Sequence, residues 1–328
     1  MEILRNKTIL ITGGTGSFGK SFVKYLLNNS EAKKIIIFSR DELKQSRMQV
    51  ELKNNQRIRF FIGDVRSLHR LQRAFHGVDI VIHAAALKQV TTMEYNPFEA
   101  VETNILGSQN VIDAAIDQGV ERAILVSTDK AAQPTSLYGS TKLCAEKLFI
   151  SGNSYSDGKT KFSCVRYGNV IGSRGSIVDK LLSHQPVSIT DERMTRFWIT
   201  LEQSFELVMF ALENMEKGEI FIPKIPSMKL VDFLEALEPG VKREVIGALP
   251  GEKIHEMLLS KEEARHTVEV GNYYIILSEC YQFLSEVYKK YYQQGKKLSP
   301  DFCYESHTNN NWLLSEQLVK IVKDLKNL

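Results

Sequence analysis

The run Thr8-Ile-Leu-Ile-Thr-Gly-Gly-Thr-Gly-Ser-Phe-Gly19, continued by Ser21-Phe-Val-Lys-Tyr-Leu-Leu27, decides the fold class. Thr8–Thr12 is a short β-prone stretch, and Ser21–Leu27 carries a helical pattern. Gly14-x-Gly16-x-x-Gly19 lies between them. A bare glycine pattern is compatible with any tight turn, but strand, glycine turn and helix together form the dinucleotide fingerprint. The glycines allow the turn and let the backbone approach a pyrophosphate, which then rests on the helix N-terminus. The candidate contacts are Gly13, Thr15, Gly16, Ser17, Phe18 and Gly19.

Outward from this run the same alternation continues. Lys34-Ile-Ile-Ile-Phe38 reads as a second strand, followed by Ser39, Arg40, Asp41 and Lys44. An acid near this point binds a ribose 2′-OH, whereas an Arg accommodates a 2′-phosphate. Arg40 stands first, with Lys44 a turn later, so the reading is NADP; Asp41 keeps NAD as the alternative, and a solvated charge cluster is the plainer reading. Arg59–Val65 reads as a third strand that brings Asp64 and Val65 to the site, with Asp64 a candidate partner for the adenine amine. Asp79–Ala86 reads as a fourth strand. Its small residues Ala84, Ala85 and Ala86 would let the backbone lie against a cofactor, and Lys88 follows just past the strand. Helical stretches run from Pro97 to Gln118, with Thr103 and Asn104 directed back toward the strand ends.

The next strand, Ala123–Val126, leads into Ser127-Thr-Asp-Lys-Ala-Ala-Gln-Pro-Thr-Ser-Leu-Tyr-Gly-Ser-Thr-Lys142. Ligands of open α/β sheets bind beyond the carboxyl ends of strands, so Ser127, Asp129, Lys130, Tyr138 and Lys142 would face the crevice. Tyr138 and Lys142 are four apart and share a helix face. A phenol near pKa ~10 is a poor base at neutral pH, and a neighbouring ammonium is expected to lower that value. Tyr-x-x-x-Lys alone would equally suit a surface pair; its position after a buried strand favours catalysis.

Phe162–Val170 reads as a sixth strand, with Val170 at its cofactor end. Beyond about residue 170 the rhythm changes to short mixed segments, with a helix near 201–215, a strand near 219–223 and an amphipathic tail helix near 313–325. The expected architecture is α/β, a Rossmann-type doubly wound parallel sheet with a smaller mixed α/β substrate-binding part. Residues 1–170 would form the NADP-binding domain. Residues 171–328 would form the substrate-binding part and C-terminal tail, with chain crossovers between the two. Polar residues after the last strand, Asn169, Arg174, Arg193, Thr195 and Arg196, are candidate contacts for a nucleotide diphosphate, since Arg suits bidentate phosphate binding.

Bulk properties agree. The chain has 328 residues, 43% hydrophobic content and a net charge of +3, enough for a large core and no case for nucleic acid or an anionic membrane. No run approaches the ~18 apolar residues of a membrane span. The start of the chain has no signal-peptide apolar region, and Cys144, Cys164, Cys280 and Cys303 are scattered without a metal-ligand spacing. A cytoplasmic protein without a metal site is expected.

Together these residues resemble the extended short-chain dehydrogenase/reductase family, which joins a Thr-Gly-x-x-Gly-x-x-Gly loop to Tyr-x-x-x-Lys. More narrowly, Ile11–Lys20, Ser39–Gln45, Ser127–Ala132, Arg166–Asn169, Arg193–Ile199, Pro223–Met228 and Ser306–Trp312 are similar to the inverting UDP-N-acetylglucosamine 4,6-dehydratases. The Thr128-Asp129-Lys130 triplet is the specific part, since ordinary sugar 4,6-dehydratases carry Thr-Asp-Glu there. The resemblance implies NADP, UDP-N-acetylglucosamine or a close UDP-sugar as substrate, and a homo-oligomer, dimer or hexamer. It adds Lys88, Thr128 and Glu252 to the substrate contacts.

In the implied chemistry Tyr138, aided by Lys142, deprotonates the C4 hydroxyl during oxidation, and Ser127 hydrogen-bonds the new ketone. The ketone acidifies the C5 proton, so water can leave across C5–C6 with Lys130 as base and Asp129 as acid. Lys130 would need a lowered pKa and Asp129 a raised one. Hydride then returns to C6, and a proton from Lys130 reaches C5 with inversion. Three segments depart from the family pattern, Lys88-Gln-Val-Thr91, Asp179-Lys-Leu-Leu182 and Leu249-Pro-Gly-Glu-Lys253. They leave room for a variant that releases the 5,6-unsaturated 4-keto sugar. An epimerase or reductase of the same fold would use Tyr138 and Lys142 without the Asp129–Lys130 pair.

Overall fold

The computed structural model describes residues 1–172, 188–240, 244–247, 249–279 and 285–326. Arg174, Cys280 and the 179–182 segment lie outside them. The first half alternates strands and helices: β1 (Thr8–Thr12), α1 (Ser17–Asn29), β2 (Lys34–Ser39), α2 (Glu42–Glu51), β3 (Ile58–Ile62), α3 (Leu68–Phe75), β4 (Ile80–His83), α4 (Val90–Tyr95), α5 (Pro97–Ala100), α6 (Gly107–Asp117), β5 (Arg122–Val126), α7 (Leu137–Tyr155) and β6 (Lys161–Val165). A π-helical turn, Val101–Leu106, joins α5 to α6. The expected sixth strand is two elements, because after β6 the chain leaves the sheet at Arg166–Gly168 and forms β7 (Asn169–Val170) elsewhere.

The remaining strands are β8 (Ser188–Ile189), β9 (Thr195–Ile199), β10 (Ile220–Pro223), β11 (Ser227–Lys229), β12 (Glu244–Val245), β13 (Met257–Leu259), β14 (Thr267–Val270), β15 (Tyr273–Ile276), β16 (Lys296–Lys297) and β17 (Tyr304–Glu305). Among the described residues the large sheet runs β16-β14-β15-β10-β6-β5-β4-β1-β2-β3. From β3 to β10 every pairing is parallel, and β15, β14 and β16 extend it antiparallel. The chain beyond residue 170 therefore returns to the first sheet through β10, β14, β15 and β16. The smaller part is built from β11-β9-β7, β12-β8 and β13-β17.

The order 3-2-1-4-5-6 has its topological switch between β1 and β4, where a crevice opens at the strands' carboxyl ends. All five residues of β1 are buried, as expected for a central parallel strand covered on both faces. The main core packs the sheet between its helices. A second cluster, Ile171, Trp198, Met228, Phe233, Leu313, Leu318 and Val322, seats the C-terminal helix Ser315–Lys326 against the helix Leu230–Leu237. Trp198 and Phe233 stack there at 3.8 Å between ring centroids.

Candidate active site

At the switch point lies a cavity of about 1160 Å³. Its floor is the glycine turn, held in shape by contacts only glycine tolerates. Gly13 has φ +65°, and a Cβ there would stand 2.8 Å from the Ala85 backbone nitrogen. A Cβ on Gly19 would meet the Gly14 Cα at 2.5 Å, so the start of α1 presses onto the turn. The N-terminus of α1 consequently opens into the cavity, a ready anion site. All the expected cofactor contacts, from Gly13 through Ser39, Arg40, Lys44, Asp64, Val65, Ala84, Ala85, Ala86 and Lys88 to Val170, line this cavity with Tyr138 and Lys142. The cradle fits an extended dinucleotide.

At the far end of β2, Asp41 caps α2. It accepts from the Lys44 backbone N–H at 2.9 Å and pairs with Lys44 Nζ at 2.8 Å. Lys44, read as a phosphate contact, is thus engaged with Asp41. Arg40 is half-exposed and touches Asp64 at 3.5 Å. Asp64 is turned mainly toward Arg66, at 2.8 Å. Burial works against that carboxylate, but Arg66 and Arg40 hold it below the usual range.

The reactive cluster sits beyond β5. The chain makes a 3-10 turn, Asp129–Ala131, and α7 packs directly on it. Gly139 makes the approach possible, since a Cβ there would lie 2.2 Å from the Lys130 carbonyl oxygen. Ser136 caps the helix, accepting from the Gly139 N–H at 3.2 Å. This brings Tyr138 alongside Thr128, Asp129 and Lys130 on the cavity wall. Lys130 Nζ donates to Asp129 Oδ1 at 3.1 Å and to Glu256 Oε1 at 3.0 Å. Asp129 Oδ2 and Glu256 Oε2 are buried without a partner. So are Thr103 Oγ1, Asn169 Oδ1, Trp198 Nε1 and Glu252 Oε2, all of which belong to residues lining the cavity. Buried polar atoms are normally satisfied, so orphans gathered at one cavity mark a place built for a polar ligand.

Three expectations are corrected. Ser127 donates its hydroxyl to Glu146 Oε1 at 2.5 Å; its proton is committed, and the hydroxyl beside Tyr138 is that of Thr128. Lys142 donates to the Val126 carbonyl at 2.8 Å, and burial, opposed by Glu146, brings it down to about 8. Tyr138 is pushed up to about 12 by burial, and the ammonium acting against that rise is that of Lys130, not Lys142. Finally, burial of Lys130 would lower its pKa, but Asp129 and Glu256 outweigh it and hold the ammonium above the ordinary lysine value. Asp129 does rise as expected, through burial and the proximity of Glu256.

On the substrate side, Lys88, Thr128, Asn169, Arg196 and Glu252 line the cavity. Arg196 is 7% exposed, donating to the carbonyls of Thr195 and Ile254 and reaching Glu252 at 3.5 Å. Two candidates are not brought in. Arg193 is 72% exposed and spent on Asp191 at 2.6 Å. Thr195 is buried within its strand against His255 and Ser306. Sequence reading missed Glu256, which follows Pro250–His255 by one residue and looks there like any acid before a strand. It also missed the network behind Ser127, in which Arg166 joins Glu146 and Glu263. No helix among the described residues is long and apolar enough to cross a membrane, and no group of metal-ligating side chains occurs among them.

The profile of the family described as "Polysaccharide biosynthesis protein" matches residues 9–278. The chain is 48% identical over 330 residues to a Campylobacter jejuni protein named UDP-N-acetylglucosamine 4,6-dehydratase (inverting), covering 98% of each. It is 41% identical over 324 residues to a Rickettsia felis protein named UDP-glucose 4-epimerase, covering 95% of this chain and 94% of that one. The X-ray structure of Pen from Bacillus thuringiensis superposes with a TM-score of 0.88 at 38% identity, covering 99% of both chains. The chain belongs to the polysaccharide biosynthesis protein family and carries the Rossmann fold of the extended short-chain dehydrogenases/reductases.

Proposed function

We propose that this protein is a C5-inverting UDP-N-acetylglucosamine 4,6-dehydratase that uses NADP and yields UDP-2-acetamido-2,6-dideoxy-β-L-arabino-hex-4-ulose. The observation that carries the reading is the Asp129–Lys130 pair at 3.1 Å on the wall of the dinucleotide cavity beside Tyr138. Epimerisation needs Tyr138 and Lys142 only, whereas elimination of water needs a further base and acid. The 48% identical Campylobacter jejuni relative, named for that reaction, supports it.

A nicotinamide held here would supply the chemistry that accepts hydride from sugar C4 and returns it to C6. The glycine turn and α1 would hold its pyrophosphate, and Arg40 the 2′-phosphate, with Asp41 already committed to Lys44. Residues 1–170 would supply most of this cradle, and β9 with the 249–256 segment the sugar-nucleotide side.

Tyr138 takes the C4 hydroxyl proton, and Thr128, whose hydroxyl donates to Asp129 Oδ1 at 2.9 Å in the free protein, would turn to donate to the ketone oxygen. Tyr138 lies near 12 in the free protein, so positive charge brought by ligands must lower it before it can act. A proton passed from Lys130 to Asp129 along their hydrogen bond turns an ion pair into an amine and a carboxylic acid. That neutral pair is what elimination requires. The amine takes the C5 proton, the C5–H electrons form C5=C6, and the C6–O bond breaks as Asp129 protonates the leaving hydroxyl. Lys130 is then an ammonium again; its protons exchange with solvent, and once the sugar has turned its opposite C5 face toward the amine, Lys130 gives a proton to C5 with inversion. Sugar binding, by excluding water, favours the neutral form of the pair.

Purified protein given UDP-N-acetylglucosamine should form a product lighter by one water in mass spectrometry. Turnover in heavy water should place one deuterium at C5 of an L-configured sugar. A product of unchanged mass would support an epimerase, the reaction for which the Rickettsia felis relative is named. A product that keeps the D-configuration would overturn the role of Lys130.

A further inference from the structure

Glu256 is 2% exposed, sits just before β13 and has no role in the scheme above. Its backbone is clamped on both sides by Ser306: the Glu256 N–H donates to Ser306 Oγ at 2.9 Å, and the Ser306 N–H donates to the Glu256 carbonyl at 2.8 Å. Its carboxylate stands behind Lys130, with Oε1 3.0 Å from Nζ and 3.8 Å from Arg196 Nε. Oε2 is buried with no partner. A buried carboxylate with one oxygen left unsatisfied is costly unless something requires it, and the group its paired oxygen faces is the amine assigned to the C5 proton.

We propose that Glu256 is the positioning residue of the C5 proton transfers, fixing the Lys130 amine over the cavity and keeping its proton in place for delivery to C5. The proposal rests on the dehydratase reading. It follows from counting charges around Lys130. Asp129 lies on the same turn, Tyr138 comes from α7, Arg196 from β9, and Lys253 with Glu256 from the segment before β13. Once Asp129 has protonated the leaving hydroxyl, Lys130 must remain an ammonium until C5 needs its proton. Asp129 alone cannot guarantee this, because it exchanges protons with Lys130 during the cycle. Glu256 takes no part in the exchange: burial opposes its charge, but Lys130 and Arg196 hold its carboxylate below the usual range. It is a fixed negative charge, and no bond to it forms or breaks.

Removing that charge should loosen the Lys130 proton. The direct test is competitive acetylation of the free enzyme with acetic anhydride at mildly alkaline pH, read by peptide mass spectrometry. Lys130 is 27% exposed and reachable from the cavity. In Glu256→Gln its acetylation, relative to surface lysines of the same chain, should rise about tenfold or more, since one pKa unit is a tenfold change in free amine. Glu256→Asp keeps the charge one methylene further off and should fall between. In turnover of UDP-N-acetylglucosamine, the limb of the kcat profile that reports loss of the Lys130 proton should move to lower pH in Glu256→Gln by about one unit. An unchanged Lys130 reactivity in a Glu256→Gln protein with wild-type melting would overturn the proposal. Should Glu256→Gln fail to fold, Glu256→Asp decides by the same readout, an unchanged Lys130 reactivity again overturning it. If wild type removes no water from the sugar nucleotide, the dehydratase reading fails, while the acetylation comparison still decides what Glu256 does to Lys130.

Discussion

Two buried clusters in this molecule have the same ingredients, one cation and two carboxylates, and opposite character. Arg166, fully buried, donates to Glu146 at 2.7 and 3.1 Å, to Glu263 at 2.8 and 3.0 Å and to the Leu258 carbonyl at 3.0 Å. Every N–H of its fork is used. Lys130 bridges Asp129 and Glu256 but leaves one oxygen of each unpartnered. The first cluster is complete without a ligand and ties α7 to the segment 258–263. The second is incomplete, and its open valences face or adjoin the cavity. Satisfied networks stiffen a core, whereas unsatisfied ones keep a free-energy cost that substrate can relieve.

The largest expected effect separates the two. Asp129→Asn should cut dehydration by about 10²- to 10⁴-fold, the usual range for a general acid, while the melting temperature holds or rises. A fall in melting temperature matching the loss of activity would make the Lys130 cluster a second structural one. Conversely, Arg166→Met should cost about 3–5 kcal/mol of stability, because it strands Glu146 and Glu263 without their counter-ion. Chemical denaturation checks this, and near-wild-type stability would dissolve the contrast.

Acid titration sharpens the comparison. Burial opposes the charge of Glu263, but Arg166 wins and its folded pKa is depressed. Its contribution is therefore present above the unfolded value near ~4.3 and is lost as pH falls through the folded one. The stability gap between wild type and Glu263→Gln should close in acid. Asp129 is raised, so its relative stabilisation exists below ~3.9 and disappears as pH rises. Asp129→Asn should thus gain over wild type at neutral pH and lose that gain in acid. Denaturation curves at several pH values distinguish the two signs.

Exposed charges should matter less. Arg40→Ala should weaken NADP binding about tenfold with little effect on NAD, as loss of one charge-assisted contact implies; equal losses for both would return Asp41 to consideration. Arg193→Ala should leave melting unchanged and move KM less than about twofold, because its pair with Asp191 is a solvated surface contact. A large rise in KM would mean that Arg193 swings into the cavity when substrate binds.

Much of this was legible beforehand. The parallel strands β1 to β6, the glycine turn and the tail helix follow from patterns a few residues long. The glycine-turn half of the cavity was legible for the same reason, since one strand–turn–helix unit and the ends of the next strands build it. The substrate half was harder. Arg193, Thr195 and Arg196 stand almost together in sequence, yet only Arg196 lines the cavity. In β9 successive side chains alternate between faces, and Arg193 precedes the strand in an exposed turn.

From sequence alone came the backbone and the chemical types: a buried strand ending at Val126, an acid and an amine side by side at Asp129 and Lys130, and a phenol one helical turn before Lys142. Periodicity and spacing are local, and so are the structures they encode. The partners of these groups were settled only by the tertiary structure. Glu256 arrives from a distant segment to pair with Lys130 at 3.0 Å, Glu146 captures the hydroxyl of Ser127, and the Val126 carbonyl accepts from the Lys142 amine. Electrostatic energy depends on separation in space and on exclusion of water, and neither quantity is written in the order of the residues.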